Sequence, residues 1–566
     1  MALAPLWLIG IFGRGLWTPD EPREADIAWR MSLQGDHTLP QLAGVPFLEK
    51  PPLTYWMSGA AVALLGDSAA AARAPNLLYT LVTALAVGAL ALGLNRQGMP
   101  ALLSALVASS ALLAYRASIW LAPDACLLAG CALALLGAWR GYRASPGRDK
   151  AAGYALMHVG AAIGFMAKSA PGWLVPALAL LALILWERRW RELTRWELYA
   201  GFALQVLIIG PWLLAIGGRP DGAGALRTLF WHNLVGRFTP VAAPAALEYT
   251  SGHPNSPGKY FLELPLYLLP WTLVVFAALV RAARRMRARG ADGTPWRFAL
   301  TASVPFLVLL SLAATARDVY AAPALLGFGV LAGLWSQEVQ GKPSGLDRVA
   351  LRLTHALVGA LALAFALALL VLAAAGLTSW PVSAAGAAGV VALAAGPLMG
   401  AARAACAGDV QRSLAFTYTA YAAALSVTAL LVLPVIDRWQ DLPRLAQRIH
   451  ADTVHQPLAL LDPDETTIAM LDRGLATPFT ALTSSGGTAQ QAVGDWFRAR
   501  GPQARVLVLL PGHAPGALTR WLSRLHAVPG AGDGVAGALI GAGGAALITR
   551  YELPQGRRYA LLGPPR

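Results

Sequence analysis

The sequence predicts an all-α polytopic membrane protein of about thirteen transmembrane helices, followed by a smaller α/β domain. Three observations predict it. Of 566 residues, 56% are hydrophobic and only 13% charged, about half the charged share of a soluble domain, and the mean hydropathy is +0.52. Apolar stretches of membrane-spanning length recur through the first three quarters of the chain. From Asp437 to Arg566 the composition then changes, to 13 Arg, no Lys and 10 acidic residues.

The spans centre near Trp7, Val82, Leu106, Leu133, Ile163, Leu180, Leu207, Val274, Leu307, Leu326, Leu363, Ala392 and Ala424. The first apolar run, Ala2 to Trp17, is short for a span and leads into an acidic loop without a small-residue cleavage site, so no cleavable signal peptide is expected and the true start can lie upstream. The formal net charge of +15 would point to nucleic acid in a soluble protein. Here the basic residues sit in short loops between apolar segments, as topology signals and contacts for anionic lipid do. Nucleic acid is therefore excluded as a partner. Cys126, Cys131 and Cys406 lie in apolar segments, which argues against a disulfide framework.

Loop charge fixes an orientation. The segments Arg140 to Lys150, Arg188 to Arg191, Arg281 to Arg289 and Lys342 to Arg352 fall on one side if the spans alternate. By the positive-inside rule that side is the cytoplasm. Two long loops, 18–74 and 217–260, then lie outside, and so does the carboxyl-terminal part. In the first, Pro22 to Leu33 starts with proline and spaces its apolar residues like a helix lying along the membrane surface. In the tail, Leu458 to Leu461, Val506 to Leu510 and Ala545 to Thr549 read as strands, and Leu442 to His450 and Val493 to Arg500 as helices. The expected division is a transmembrane domain over 1–436 and an external α/β domain over 437–566. The tail has no nucleotide-binding glycine fingerprint and is assigned no chemistry.

Six polar clusters do not look like topology signals, and all six fall on the outer side. They are Trp17-Thr-Pro-Asp-Glu-Pro-Arg23, Phe47-Leu-Glu-Lys-Pro-Pro-Leu-Thr-Tyr-Trp56, Ala122-Pro-Asp-Ala125, Met166-Ala-Lys-Ser-Ala-Pro-Gly172, Trp231-His-Asn-Leu-Val-Gly-Arg-Phe238 and Ala316-Arg-Asp-Val-Tyr320. They bring acidic Asp20, Glu21, Glu49, Asp124 and Asp318 together with basic Lys50, Lys168, Arg237 and Arg317. Charges persist near a bilayer where they pair, meet water or serve function. Lys and Arg can hold a phosphate leaving group; a carboxylate can orient or deprotonate a nucleophile, or grip an amine. Each residue also has a plainer reading. Asp20 and Asp124 are placed to cap helices, Lys50 and Lys168 to snorkel, and His232 and His253 to be ordinary loop histidines.

The set resembles the GT-C glycosyltransferases. An acidic pair closes the first span; E-K-P-P-L-x-Y-W, an x-P-D turn, a lysine before x-x-P-G and H-N-x-x-x-R-F follow in order. The protein mannosyltransferase and 4-amino-4-deoxy-L-arabinose transferase (ArnT) branch is the most similar. The resemblance implies a multi-pass enzyme of the bacterial inner membrane with its active site facing the periplasm. Such an enzyme takes a sugar from a polyprenyl phosphate with inversion at the anomeric carbon. For this branch the donor is undecaprenyl-phosphate aminoarabinose and the acceptor a lipid A phosphate, the modification that gives polymyxin resistance.

Matched to the motifs, Asp20 and Asp124 are the catalytic carboxylates. Lys50, Arg237, Tyr320 and Lys168 bind the donor phosphate, and Glu21, Arg23, Tyr55 and Arg317 line the cavity. The Ala122-Pro-Asp turn carries a single acidic residue and hence no D-x-D metal pair. No cofactor is expected to be required; if a divalent metal such as zinc binds, Glu49 with His232 would hold it. If the acceptor is a phosphate, it is already anionic and Asp20 positions groups or holds the donor ammonium; if it is a Ser or Thr hydroxyl, Asp20 acts as base. The rival readings are a protein O-mannosyltransferase and a lipid-linked sugar transporter or flippase. Transporters place polar sites near the midplane between paired repeats, and no paired halves are visible in the sequence.

Overall fold

The computed structural model describes residues 3–33, 37–239, 254–287, 292–475, 478–484, 488–511 and 534–565. His253, Arg289 and much of the second long loop lie outside them. All thirteen expected span centres fall within helices. Among the described residues eight helices are long and apolar enough to cross a membrane, or ten if each of two bent pairs is one span. The difference from thirteen has physical causes. Ala4–Phe12 is only nine residues long, and Pro171–Glu187 has seventeen. Arg148–Lys168 carries Arg148, Asp149, Lys150 and Lys168 within its length, which dilutes its apolar content.

One helical hairpin governs where the polar residues meet. Asp124–Arg143 and Arg148–Lys168 run antiparallel and pack through small residues, which let two backbones approach closely without side chains between them. A methyl group at Gly137 would lie 2.2 Å from the Met157 nitrogen, and one at Gly130 would lie 2.5 Å from the Gly164 nitrogen. That register brings Asp124, the first residue of one helix, level with Lys168, the last residue of the other. Pro171 then starts the next helix, where its missing N–H costs nothing.

The helix expected along the membrane surface forms at Glu21–Leu33, but it is buried. Glu21, Arg23, Glu24, Asp26, Ile27 and Ala28 are all at most 3% exposed. The helix Leu53–Leu65 and the helix Glu465–Leu475 both pack against it. Its charged residues find partners on the carboxyl-terminal segment, which local spacing cannot reveal: Arg30 pairs with both oxygens of Asp472, and Ile27 and Met31 pack beside Ala469.

The carboxyl-terminal segments fold into a five-stranded sheet flanked by helices. Calling the strands β1 (Leu458–Leu461), β2 (Phe479–Leu482), β3 (Arg505–Leu509), β4 (Ala546–Glu552) and β5 (Arg558–Gly563), the order is β2-β1-β3-β5-β4. The pairs β1–β2 and β1–β3 are parallel and the other two antiparallel. Strand β1 is buried throughout and reads as a continuous apolar run. The helix Val410–Trp439 leads into this unit. Near its end Asp437 accepts hydrogen bonds from the Gly15 nitrogen at 2.8 Å and from Trp17 Nε1 at 2.6 Å, tying it to the segment just ahead of the Glu21–Leu33 helix.

Candidate active site

A cavity opens beside the end of the helical hairpin. Four of the charged or phenolic residues expected in a phosphate site line it: Lys50, Lys168, Arg237 and Tyr320. They arrive from separate elements. Lys50 sits just ahead of the helix Leu53–Leu65, and Lys168 ends its own helix. Arg237 closes a 3₁₀ turn after a π-helix over Thr228–Leu234, and Tyr320 lies on the 3₁₀ segment Asp318–Ala324. The lining also includes the apolar side chains Leu127, Leu229, Phe238 and Leu310. A cavity that combines cationic groups with apolar lining suits an anionic head joined to a hydrocarbon.

Glu49 also lines the cavity and sits in a web of ion pairs. Glu49 lies between Lys50 at 3.4 Å, Arg237 at 3.4 Å and Arg23 at 3.5 Å. Burial pushes its carboxyl up, but Lys50, Arg23, Arg237 and Arg317 outweigh that and hold it well below the usual carboxylate range. Lys50 also donates to Glu24 at 2.7 Å. Burial pulls the Lys50 ammonium down, yet Glu24 and Glu49 raise it above its ordinary value, so it stays cationic. Asp20 pairs with Arg23 at 3.3 Å and with Arg317 at 3.4 Å. Burial raises the Asp20 carboxyl, while Arg23, Lys50 and Arg317 bring it net below its ordinary value. On the other side, Lys168 donates to Asp124 at 2.5 Å, and its ammonium stands 5.0 Å from the centre of the Tyr320 ring.

The sequence-predicted residues thus divide into groups. Lys50, Lys168, Arg237 and Tyr320 form the wall, and Asp124 reaches it through Lys168. Asp20 and Arg317 form a pair next to the Arg23 web rather than part of the lining. Arg23 and Tyr55 stand behind the wall: Arg23 is 3% and Tyr55 1% exposed. Glu21 does not line the cavity. It is fully buried, pairs with Arg14 through both oxygens and with Arg73 at 3.6 Å, and accepts from the Trp17 and Leu121 nitrogens. It braces the chain where Asp20 faces the web.

Glu49 with His232 does not fit a metal. The Glu49 carboxylate is already compensated by three cations. Among the described residues no group of three or more His, Cys, Asp or Glu side chains is placed to hold an ion. Sequence reasoning missed Glu24, which bridges Arg23 and Lys50. It also missed Ser169 and Asn233, which line the cavity and each carry a buried polar atom that has no partner among the described residues. Ser169 had a local signal: it lies between a helix-ending lysine and Ala-Pro, and its φ of +64° is unusual for a residue with a side chain.

Residues 49–214, which include Glu49, Lys50, Asp124 and Lys168, match the dolichyl-phosphate-mannose-protein mannosyltransferase family. The chain is 31% identical over 338 residues to the undecaprenyl phosphate-alpha-4-amino-4-deoxy-L-arabinose arabinosyl transferase of Edwardsiella ictaluri, covering 59% of this chain and 58% of that protein. The Pseudomonas aeruginosa enzyme of the same name is 31% identical over 334 residues, with the same coverage. The chain therefore matches a little over half the length of these relatives. In structure it is similar to ArnT from Cupriavidus metallidurans bound to undecaprenyl phosphate, with a TM-score of 0.72, 18% identity, and coverage of 99% of this chain and 96% of that one. The apo form of the same protein gives a TM-score of 0.68 at 18% identity, over 98% of this chain and 95% of that one. At this identity the likeness is one of fold.

Proposed function

For a chain with the fold of the GT-C membrane glycosyltransferases and with aminoarabinose transferases among its sequence relatives, we propose transfer of 4-amino-4-deoxy-L-arabinose from undecaprenyl phosphate to a lipid A phosphate, with inversion at the anomeric carbon. The observation that carries this reading is the meeting of Lys50, Lys168, Arg237 and Tyr320 in one cavity that is also lined by apolar side chains. The names of the relatives supply the sugar and the carrier, and the basic loops, read by the positive-inside rule, support a site on the periplasmic side of the inner membrane.

The three cations and the phenol hold the donor phosphate and take up its charge as the glycosidic C–O bond breaks. The acceptor phosphate oxygen attacks from the opposite face of the sugar. That oxygen is anionic near neutral pH, so no strong base is needed. Asp20, kept ionised by Arg23, Lys50 and Arg317, is suited to hold the donor ammonium. The test is purified protein given undecaprenyl-phosphate aminoarabinose and lipid A. A lipid A mass increase of one aminoarabinosyl unit is expected, and transfer to no phosphate acceptor would refute the reading.

A second reading, protein O-mannosylation, is favoured by the family match over 49–214. It requires Asp20 to act as base toward a hydroxyl. Sugar appearing on periplasmic proteins rather than on lipid A would select it.

A further inference from the structure

The carboxyl-terminal α/β unit has no chemistry of its own in the reading above, yet it reaches the ion-pair web. Glu465, the first residue of the helix Glu465–Leu475, accepts from Arg23 Nη1 in a short charge-assisted hydrogen bond. Arg23 Nη2 is the nitrogen that serves Glu24 at 2.8 Å, Asp20 at 3.3 Å and Glu49 at 3.5 Å. Among the described residues Glu465 is the one partner of Nη1, and Arg23 Nε is buried with none. A guanidinium is a rigid planar fork, so holding one tip sets the direction of the other. Four carboxylates (Asp20, Glu24, Glu49 and Glu465) stand against four cations (Arg23, Lys50, Arg237 and Arg317), and one of the four comes from the carboxyl-terminal unit.

Glu465 is itself held in place. Its neighbour Asp464 accepts from Arg557 Nη2 at 2.5 Å and caps the helix through the Thr467 nitrogen at 2.9 Å. Arg557 in turn donates to the Tyr559 hydroxyl on strand β5 at 2.6 Å. On the other flank, Thr466 Oγ1 donates at 3.2 Å to the carbonyl of Pro19, the residue before Asp20. The sheet thus braces the helix, and the helix grips the Asp20 loop at two points four residues apart in sequence.

We propose that the α/β unit completes the transfer site, with Glu465 as a positioning residue that fixes Arg23 and, through it, Asp20 and Glu49. The proposal rests on the transferase reading above and names the part of the chain that reading leaves idle. Glu465 touches no substrate; its carboxylate sets the angle of a cation shared by the Asp20 loop and the Glu49-Lys50 wall.

The full-length protein carries the test. Glu465→Gln keeps size and a hydrogen-bonding oxygen but removes the charge. Asp472→Ala, which cuts the Arg30 pair farther along the same interface, serves as the control for docking alone. Glu465→Gln is expected to lower kcat by about tenfold to a hundredfold, the scale of a misaligned reacting group, with donor KM within about twofold. Asp472→Ala is expected to lower the melting temperature while kcat stays near wild type. Equal loss of kcat in both variants, or none in Glu465→Gln, overturns the proposal. Backbone amide exchange separates it from the transferase reading, because it does not depend on activity. Exchange across residues 20–24 should rise in Glu465→Gln and not in Asp472→Ala, and unchanged exchange in both overturns the proposal even if the wild type transfers sugar.

Discussion

Lys168 donates a 2.5 Å hydrogen bond to Asp124, joining the last residue of one helix to the first residue of its antiparallel neighbour. Both side chains are largely buried, at 12% and 6% exposure. Removing one partner of such a pair leaves an uncompensated charge and costs on the order of 3 kcal/mol, whereas removing both is far milder. Lys168→Met and Asp124→Asn are therefore each expected to lower thermal stability, and the double variant to recover most of it. If the pair serves transfer as well as folding, the double variant recovers stability without recovering turnover. Full activity in the double variant would make the pair structural only.

Lys50 faces the cavity while paired with Glu24 and Glu49. A charge-assisted hydrogen bond to phosphate is worth about 1.5 to 3 kcal/mol, or about tenfold to a hundredfold in affinity. Lys50→Met should weaken undecaprenyl phosphate binding by that factor, measured with the purified protein in detergent or nanodiscs. Arg237→Lys should weaken it too, since a point charge does not reproduce a guanidinium fork. Wild-type affinity in both variants would remove the phosphate site from this wall.

Much of this architecture is legible in the sequence because hydrophobic length and short motifs are local properties. Composition alone marks the helices, and the order of Lys50, Lys168 and Arg237 marks the cavity. What escapes is what depends on rotation and on distant contact. Glu21 stands next to Asp20 in sequence, but a turn of about 100° per helical residue sends it to Arg14 rather than to the cavity. Glu24 looks like an ordinary first-turn acid until Lys50 is seen beside it. Glu465 lies 442 residues from Arg23, and nothing in its surroundings announces the contact. The Glu21–Leu33 helix reads as a surface helix because its polar face is covered by a segment more than 400 residues away.

Asp20 sits where Arg23 and Arg317 keep it ionised. With a phosphate acceptor, Asp20→Asn should retain appreciable turnover and show its main defect in donor KM, because the ammonium loses its counter-charge. With a hydroxyl acceptor the same variant should lose kcat almost entirely. The two outcomes separate lipid A modification from protein glycosylation by a single substitution, provided that folding is checked by thermal melting.

Glu49 bears on metal dependence. A carboxylate held by Lys50, Arg23 and Arg237 would have to leave those partners to bind a cation. Extensive dialysis against a chelator is expected to leave the transfer rate unchanged, and restoration of a lost rate by added zinc would contradict that.

Asp26 gives the interface between the Glu21–Leu33 helix and the α/β unit a dependence on pH. Its side chain is fully buried, with one oxygen accepting from the Ala43 nitrogen at 3.1 Å. Burial and the neighbouring Asp472 carboxylate push its pKa up to about 8, against smaller opposing effects of the Ala43 hydrogen bond and Arg30. In the unfolded chain an aspartate titrates near about 3.9, so folding takes up a proton. The stabilisation is then fully present below the unfolded value and is lost as pH rises through the folded one. Above about pH 8 two buried carboxylates face the single guanidinium of Arg30. The wild type should therefore melt at progressively lower temperature between about pH 4 and pH 8, and the decline should level off above that. Asp26→Asn, which supplies a permanent donor to Asp472, should flatten that slope, and parallel decline of both proteins across the range would place the titrating group elsewhere.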